Sequence, residues 1–434
     1  MKRIFVSILY LAIWQITQAQ LINKIIRVKE VKRIETKLSS DEMAGRRTFT
    51  PGIEKASLFI EKEFKKAGLQ PFNGAPGFRQ KFLMYQSTSQ SLAVTLDGIA
   101  VPDSLIAGFS FQQQVVLTEK DEVEVVKIEK GANFGQQFYK YYQARKNLLV
   151  LVDPSFNSRV RTIQKMEKIA AEPGSNTVIF VFGATRVNSF SINLQNKIEK
   201  KALNNVVGML PGSTRPNEYV IFSAHYDHLG TGTPSEGEAA GKKDSIYNGA
   251  NDDAAGTTAV ILLASYFKKL GNNHRTIVFA AFTAEEMGGY GAQYFSKQLT
   301  PDSVVAMFNI EMIGTPSKWG DNSAYITGFE KTNLGTILQK NLERTNFIFH
   351  PDPYPEQQLF YRSDNATLAR LGVAAHTIST SKMDGEPNYH KVTDEIHTLD
   401  LNNMASIIKA IAISATSIIA GADTPTRVDT SQLR

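Results

Sequence analysis

The sequence predicts an α/β protein: a mixed, largely parallel central sheet with helices on both faces, interrupted by a smaller β-rich α+β insert lobe. Three observations carry that prediction. From Val206 onwards, short continuous apolar runs alternate with segments of helical spacing, the pattern of parallel strands buried on both faces. Between residues 88 and 200 the texture changes to short β-like segments. At 42% hydrophobic and 21% charged over 434 residues, with no cysteine, the composition is that of an ordinary globular chain whose core holds without cross-links.

The elements follow in chain order. Lys2 and Arg3 precede the apolar run 4–14, and Thr17-Gln18-Ala19 offers a small-x-small cleavage site. Residues 1–19 therefore read as a signal peptide, too short to span a bilayer, and the mature protein is expected to be exported, periplasmic or secreted. No later apolar run approaches membrane length, so no integral membrane segment is expected after its removal. Helical spacing covers 34–38 and 55–67, the latter closed by Gly68, with a polar loop at 39–50 between them. Strands are expected at 92–96, 123–128, 148–152 and 177–182, with a helix over 160–171. The second half predicts strands at 219–223, 276–281, 304–310 and 374–379. Helices are expected over 254–270, 288–298, 334–342 and 404–419. One domain then comprises 20–87 and 201–434, with 88–200 inserted as an accessory lobe.

The net charge of +6 says little about partners, because acids and bases alternate. The run 61–66 reads as a solvated helix face rather than a nucleic-acid stripe.

The chemistry lies where strands end. The strand at 219–223 runs into Ala224-His225-Tyr226-Asp227-His228; that at 276–281 runs into Glu285-Glu286; that at 304–310 ends at Glu311; and the loop after 374–379 carries Tyr389-His390. Asn251-Asp252-Asp253 stands just before a helix. In an open α/β sheet these positions share one crevice. Singly, Glu285-Glu286 is an ordinary helix-start charge pair and Asp252-Asp253 an ordinary cap. Together they crowd like charges that a divalent cation relieves. With no thiolate available, imidazole and carboxylate suit zinc, with cobalt or manganese as substitutes. Two metals bridged by one carboxylate use two histidines and three acids, which leaves one of the Glu285-Glu286 pair free to take a proton from water. Asp227, two residues after His225, fits a carboxylate standing behind a metal-bound imidazole. His228 reads as a rim residue, and His274, His350, His376 and His397 as core or surface residues.

The segments 223–230, 248–256, 283–286, 309–314 and 389–390 resemble the successive signatures of the co-catalytic zinc aminopeptidase family, which includes aminopeptidase Y, bacterial leucyl aminopeptidases, glutamate carboxypeptidases and the related glutaminyl cyclases. The resemblance is strong over about 206–398 and weaker at 38–68, where Ala44-Gly45-Arg46-Arg47 is similar to an entry segment. It implies a zinc exopeptidase fold and two zinc ions per chain. One ion is implied on His225, Asp252 and Glu311, the other on Asp252, Glu286 and His390. It further implies Glu285 as general base, Asp227 as the partner orienting His225, Tyr389 as a transition-state donor and Arg362 as a substrate-positioning residue. Two positions depart from the pattern: Glu311 stands where an aspartate is usual, and Asn365 where many members have histidine. The expected function is removal of amino-terminal residues from peptide substrates by metal-activated water. The alternatives are a carboxypeptidase or glutaminyl cyclase of the same fold, or a non-catalytic receptor-like metal protein. The sequence sets no oligomeric state.

Overall fold

The computed structural model describes residues 20–232 and 244–433. The expected signal peptide lies outside the described residues. The chain divides into two compact units, one comprising the described residues up to Lys81 together with those from Leu203 on, the other Phe82–Ala202.

The first unit is built on a mixed sheet. Arg275–Phe282 is wholly buried and apolar from Ile277 on, as a central strand covered on both faces is expected to be. It runs parallel to Arg215–His225, which runs parallel to Val304–Ile310, which runs parallel to Ala375–Ser379. Ser323–Ile326 lies antiparallel beyond Ala375–Ser379 and is followed by Ile348–Pro351. At the other edge, residues 206–210 pair antiparallel with 277–281.

Alternation along the strands separates two cores. Val220, Phe222, Ala224, Phe279 and Phe308 join the helices Val28–Leu38, Pro51–Ala67, Ala255–Leu270 and Leu401–Ser414 on one face. Ile221, Val278, Phe282 and Met307 meet Tyr290–Ser296 and Asn365–Ala369 on the other. Ala255–Leu270 is apolar nearly all round because it is buried nearly all round.

The second unit has its own four-stranded sheet, in the order Ile106–Ser110, Thr177–Phe182, Leu148–Val152, Glu124–Ile128. The last three run parallel. Phe109, Phe138, Phe180 and Phe182 fill its core beneath the helix Phe134–Tyr142.

Several expectations needed correction. The helix expected over 160–171 stops at Gln164, since only Val160 and Ile163 bury an apolar stripe, and Lys168–Ala170 is a strand paired with residues 85–87. The polar stretch 39–50 is no open loop: Asp41–Arg46 is a tight turn that buries Met43, Gly45 and Arg46. The last helix begins earlier, at Leu401, because the Asp400 carboxylate caps the amides of Asn402 and Asn403. The stretch Leu401–Ile419 is also long and apolar enough by composition to cross a membrane, contrary to expectation. About two thirds of its apolar window is buried within the protein, and Ala415 interrupts it.

A carboxyl group sits inside this core. Glu35 is fully buried; its Oε2 accepts from Thr258 Oγ1 at 2.9 Å, and burial pushes its pKa up to about 8. The folded state therefore favours the protonated acid. That preference is fully present below the unfolded value near 4.5 and is lost as pH rises through about 8. Glu35→Gln keeps an acceptor for Thr258 and removes the titration. Over that window the native protein is expected to lose on the order of a few kcal/mol more than the variant. Denaturant unfolding at both ends of the window measures this, and equal losses in the two proteins would refute it.

Candidate active site

Because the strands Arg215–His225, Arg275–Phe282, Val304–Ile310 and Ala375–Ser379 all run parallel, their carboxyl ends open on one edge. That edge gathers His225, Glu285, Glu286, Glu311 and the loop bearing Tyr389 and His390. Asp252 arrives from the turn before Ala255–Leu270, and the Asp252–Asp253 peptide is cis. The expected donors thus converge. His225 Nε2 stands 3.2 Å from Asp252 Oδ1, and His390 Nε2 stands 3.3 Å from Asp252 Oδ2 and 3.2 Å from Glu286 Oε2. Each histidine faces a different oxygen of the same aspartate.

Asp227 is buried behind His225, whose Nδ1 lies 3.2 Å from the Asp227 carbonyl and 3.7 Å from its carboxylate. An Nδ1–H held there leaves the Nε2 lone pair aimed at the cluster. The Asp227 carboxylate also accepts the backbone N–H of Glu285 at 3.1 Å, so one side chain orients two site residues.

His228 is no rim residue. It is buried, with Nδ1 2.8 Å from Glu286 Oε1 and its ring edge-on to His390. One donor atom each from His228, Asp252 and Glu286 lie within 4.8 Å of one another. Its burial was not legible from spacing alone, because the turn that swings it inward depends on Arg46 accepting the His228 N–H.

Other supports also escaped the sequence reading. Asp394 accepts the backbone N–H groups of Asn251 and Asp252 at 2.8 and 3.0 Å, fixing the Asp252 turn from the far end of the chain. Asp253 accepts from the amides of Gly256 and Met312, tying that turn to the segment of Glu311. Gly256 is required there, since a Cβ would stand 2.1 Å from the Ile310 carbonyl. Arg46 is wholly buried and donates to four carbonyls: Leu38, Tyr226, Asn248 and Gly249. It thereby clamps the segments of His225 and Asp252 together. Ala284, Met312 and His390 all take positive φ, a conformation that costs side-chain-bearing residues roughly 1 kcal/mol or more each and persists only where surroundings impose it.

The two departures from pattern resolve differently. Glu311 reaches the site wall, where a relay holds its longer side chain: Ser223 donates to Asn309, Asn309 to Ser363, and Ser363 to Glu311 Oε2. Asn365 takes no part in the site. It donates to the Phe360 and Ala375 carbonyls and accepts from Thr377, fastening its short helix to the sheet.

A cavity of about 300 Å3 opens beside the cluster. Asp252, Glu285, Glu286 and Glu311 wall one side, and Met312, Leu359 and Met383 supply apolar surface. Arg362 is exposed at its mouth, with one guanidinium nitrogen 3.3 Å from Gln357 Oε1. The Tyr389 ring stacks on His390 at 3.9 Å; burial first, then the carboxylates of Asp252, Glu286 and Glu311, raises its pKa, so it stays a phenol. Burial likewise raises Glu285, reinforced by Glu311, Asp364 and Glu286.

The residues fit a zinc site. Two donors bound to a tetrahedral zinc at about 2.0–2.2 Å stand roughly 3.3–3.6 Å apart. The three imidazole–carboxylate separations of 3.2, 3.3 and 3.2 Å lie close to that edge length. The buried Nε2 of His225 has no hydrogen-bond partner among the described residues, as a ligating nitrogen would not.

Fold and site can next be set beside known proteins that they resemble. Residues 205–415 match the model described as peptidase family M28. A "Probable zinc metalloprotease" of Pyrenophora teres f. teres is 31% identical over 171 residues, covering 37% of this chain and 33% of that protein. "Leucine aminopeptidase 1" of Neurospora crassa is 27% identical over 206 residues, covering 44% and 48%. The chain thus spans about a third to a half of the length of these curated relatives. Among solved structures, an aminopeptidase from Aneurinibacillus sp. strain AM-1 superposes with a TM-score of 0.56 at 16% identity, covering 95% of this chain and 98% of that one. A peptidase M28 precursor from Shewanella amazonensis SB2B gives 0.55 at 14% identity, covering 96% and 99%. At those identities the likeness is one of fold.

Proposed function

We propose that this protein is an exported di-zinc aminopeptidase. The observation that carries the reading is the shared aspartate: His225 faces one oxygen of Asp252 and His390 the other, each at ligand-edge distance. His225, Asp252 and Glu311 would hold one ion, and Asp252, Glu286 and His390 the second. When bound, zinc acidifies a water and polarises the scissile carbonyl. Glu285, left over from the ligand set and with its pKa raised by burial, takes the water's proton and returns it to the leaving amine. The protonated Tyr389 donates to the developing oxyanion.

The cavity favours the amino end of the substrate. The lining is acidic, with Glu285, Glu286, Glu311 and Asp252, and among the described residues Arg362 is the one Lys or Arg in it. A carboxypeptidase needs cations there. At about 300 Å3 the cavity is at the small end for ligand pockets and takes a single residue, with Met312, Leu359 and Met383 against its side chain. Export is supported by the 1–19 segment and is tested by whether the mature chain begins at Gln20.

Aminoacyl p-nitroanilides with apolar side chains are expected to be cleaved, activity to vanish on treatment with a strong chelator, and zinc to restore it. Turnover that survives the chelator, or cleavage confined to amino-blocked peptides with a free carboxyl end, would overturn this reading.

A further inference from the structure

The proposed chemistry leaves His228 without a role, yet it is buried against one of the proposed ligands. The geometry points to His228 as a positioning residue that presents Glu286 to the metal, an inference that rests on the reading of Asp252, Glu286 and His390 as zinc ligands. Its Nδ1 lies 2.8 Å from Glu286 Oε1, a hydrogen-bond distance and too short for two donors sharing one zinc. Nδ1 is 3.9 Å from Asp252 Oδ2, too long for the same sharing. The other Glu286 oxygen, Oε2, is the one at ligand-edge distance from His390. The two oxygens of Glu286 thus have separate duties: Oε1 receives an N–H and Oε2 faces the metal.

The ring is held to this task. The His228 backbone N–H donates to the Arg46 carbonyl, and Gly249 packs on the ring with φ +54°, where a Cβ would come within 2.5 Å of Cδ2. Nε2 is buried with no hydrogen-bond partner among the described residues. A neutral imidazole in that setting carries its proton on Nδ1, because an orphaned acceptor is tolerated better than an orphaned N–H. The hydrogen bond to a carboxylate is of the stronger, charge-assisted kind. It stops Glu286 from rotating toward bidentate or outward positions and fixes its one metal-facing oxygen.

Zinc affinity separates this from a structural role. The native protein, His228→Leu, His228→Asn and His228→Gln are titrated with zinc against a chromophoric chelator, and their cobalt-loaded absorption is recorded. His228→Leu is expected to hold one ion about 10–100-fold more weakly. His228→Asn places an amide N–H where Nδ1–H stood and is expected to recover most of that loss with native cobalt bands, whereas the longer His228→Gln is not. The Asn and Gln pair decides the matter if the leucine variant does not fold in chelator. Native affinity in the leucine and glutamine variants would overturn the inference, as would cobalt bands altered in His228→Asn, which would make the imidazole itself a ligand. A native protein that binds no zinc would instead sink the metal reading beneath it.

Discussion

Glu285→Gln is expected to lower kcat on an aminoacyl p-nitroanilide by about 10²–10⁴-fold while leaving zinc content unchanged. The geometry explains both halves. Its backbone N–H is held by Asp227, and its carboxyl lines the cavity beside Glu311 and Glu286, where burial and those neighbours raise its pKa. Glutamine keeps the size and the backbone bond but cannot accept and return a proton. Because Glu286 faces His390 and no imidazole stands at such a distance from Glu285 among the described residues, removing Glu285 is expected to spare the proposed ligand set. Metal analysis beside steady-state kinetics separates the outcomes. Loss of zinc would make Glu285 a ligand, and turnover within tenfold of native would leave the base elsewhere.

The second large effect concerns Arg46. Arg46→Leu is expected to destabilise the fold by about 3–5 kcal/mol, the scale found when one member of a buried charged network is removed. Four carbonyls each lose the Arg46 donor at once, on Leu38, Tyr226, Asn248 and Gly249, and Glu35 and Asp394 lose the cation near them. Arg46→Lys keeps the charge but not the planar fork, so it recovers only part of the loss. Denaturant unfolding in the presence of chelator measures the fold without the metal's contribution. A leucine variant within about 1 kcal/mol of native would show that the clamp matters little to stability.

The strands Leu148–Val152, Thr177–Phe182 and Val304–Ile310 were legible because each is an apolar run bounded by polar or turn residues and too short for a helix. Ser323–Ile326 and Ile348–Pro351 were not, since four residues carry too little periodicity to stand out and only their neighbours in the sheet make them strands. The helix expected over 160–171 failed for the opposite reason: a local pattern lost to pairing with residues 85–87.

In the site, the sequence determined which chemical groups stand where strands end. His225, Asp252, Glu285, Glu286, Glu311 and His390 are set there by parallel strands, by the turn before Ala255–Leu270 and by the loop after Ala375–Ser379. Only the tertiary structure decided what holds these groups in place. Asp394 reaches the Asp252 turn across 142 residues, Arg46 joins segments 180 and 202 residues away, and Ser363 steadies Glu311 from 52 residues on. Such partners leave no periodic trace, because a hydrogen bond needs only one polar atom at the right point in space, and packing alone sets that point. His228 shows the difference most plainly: three residues from His225 in sequence, it was placed inside the cluster by a hydrogen bond from its backbone N–H to the Arg46 carbonyl and by a glycine against its ring.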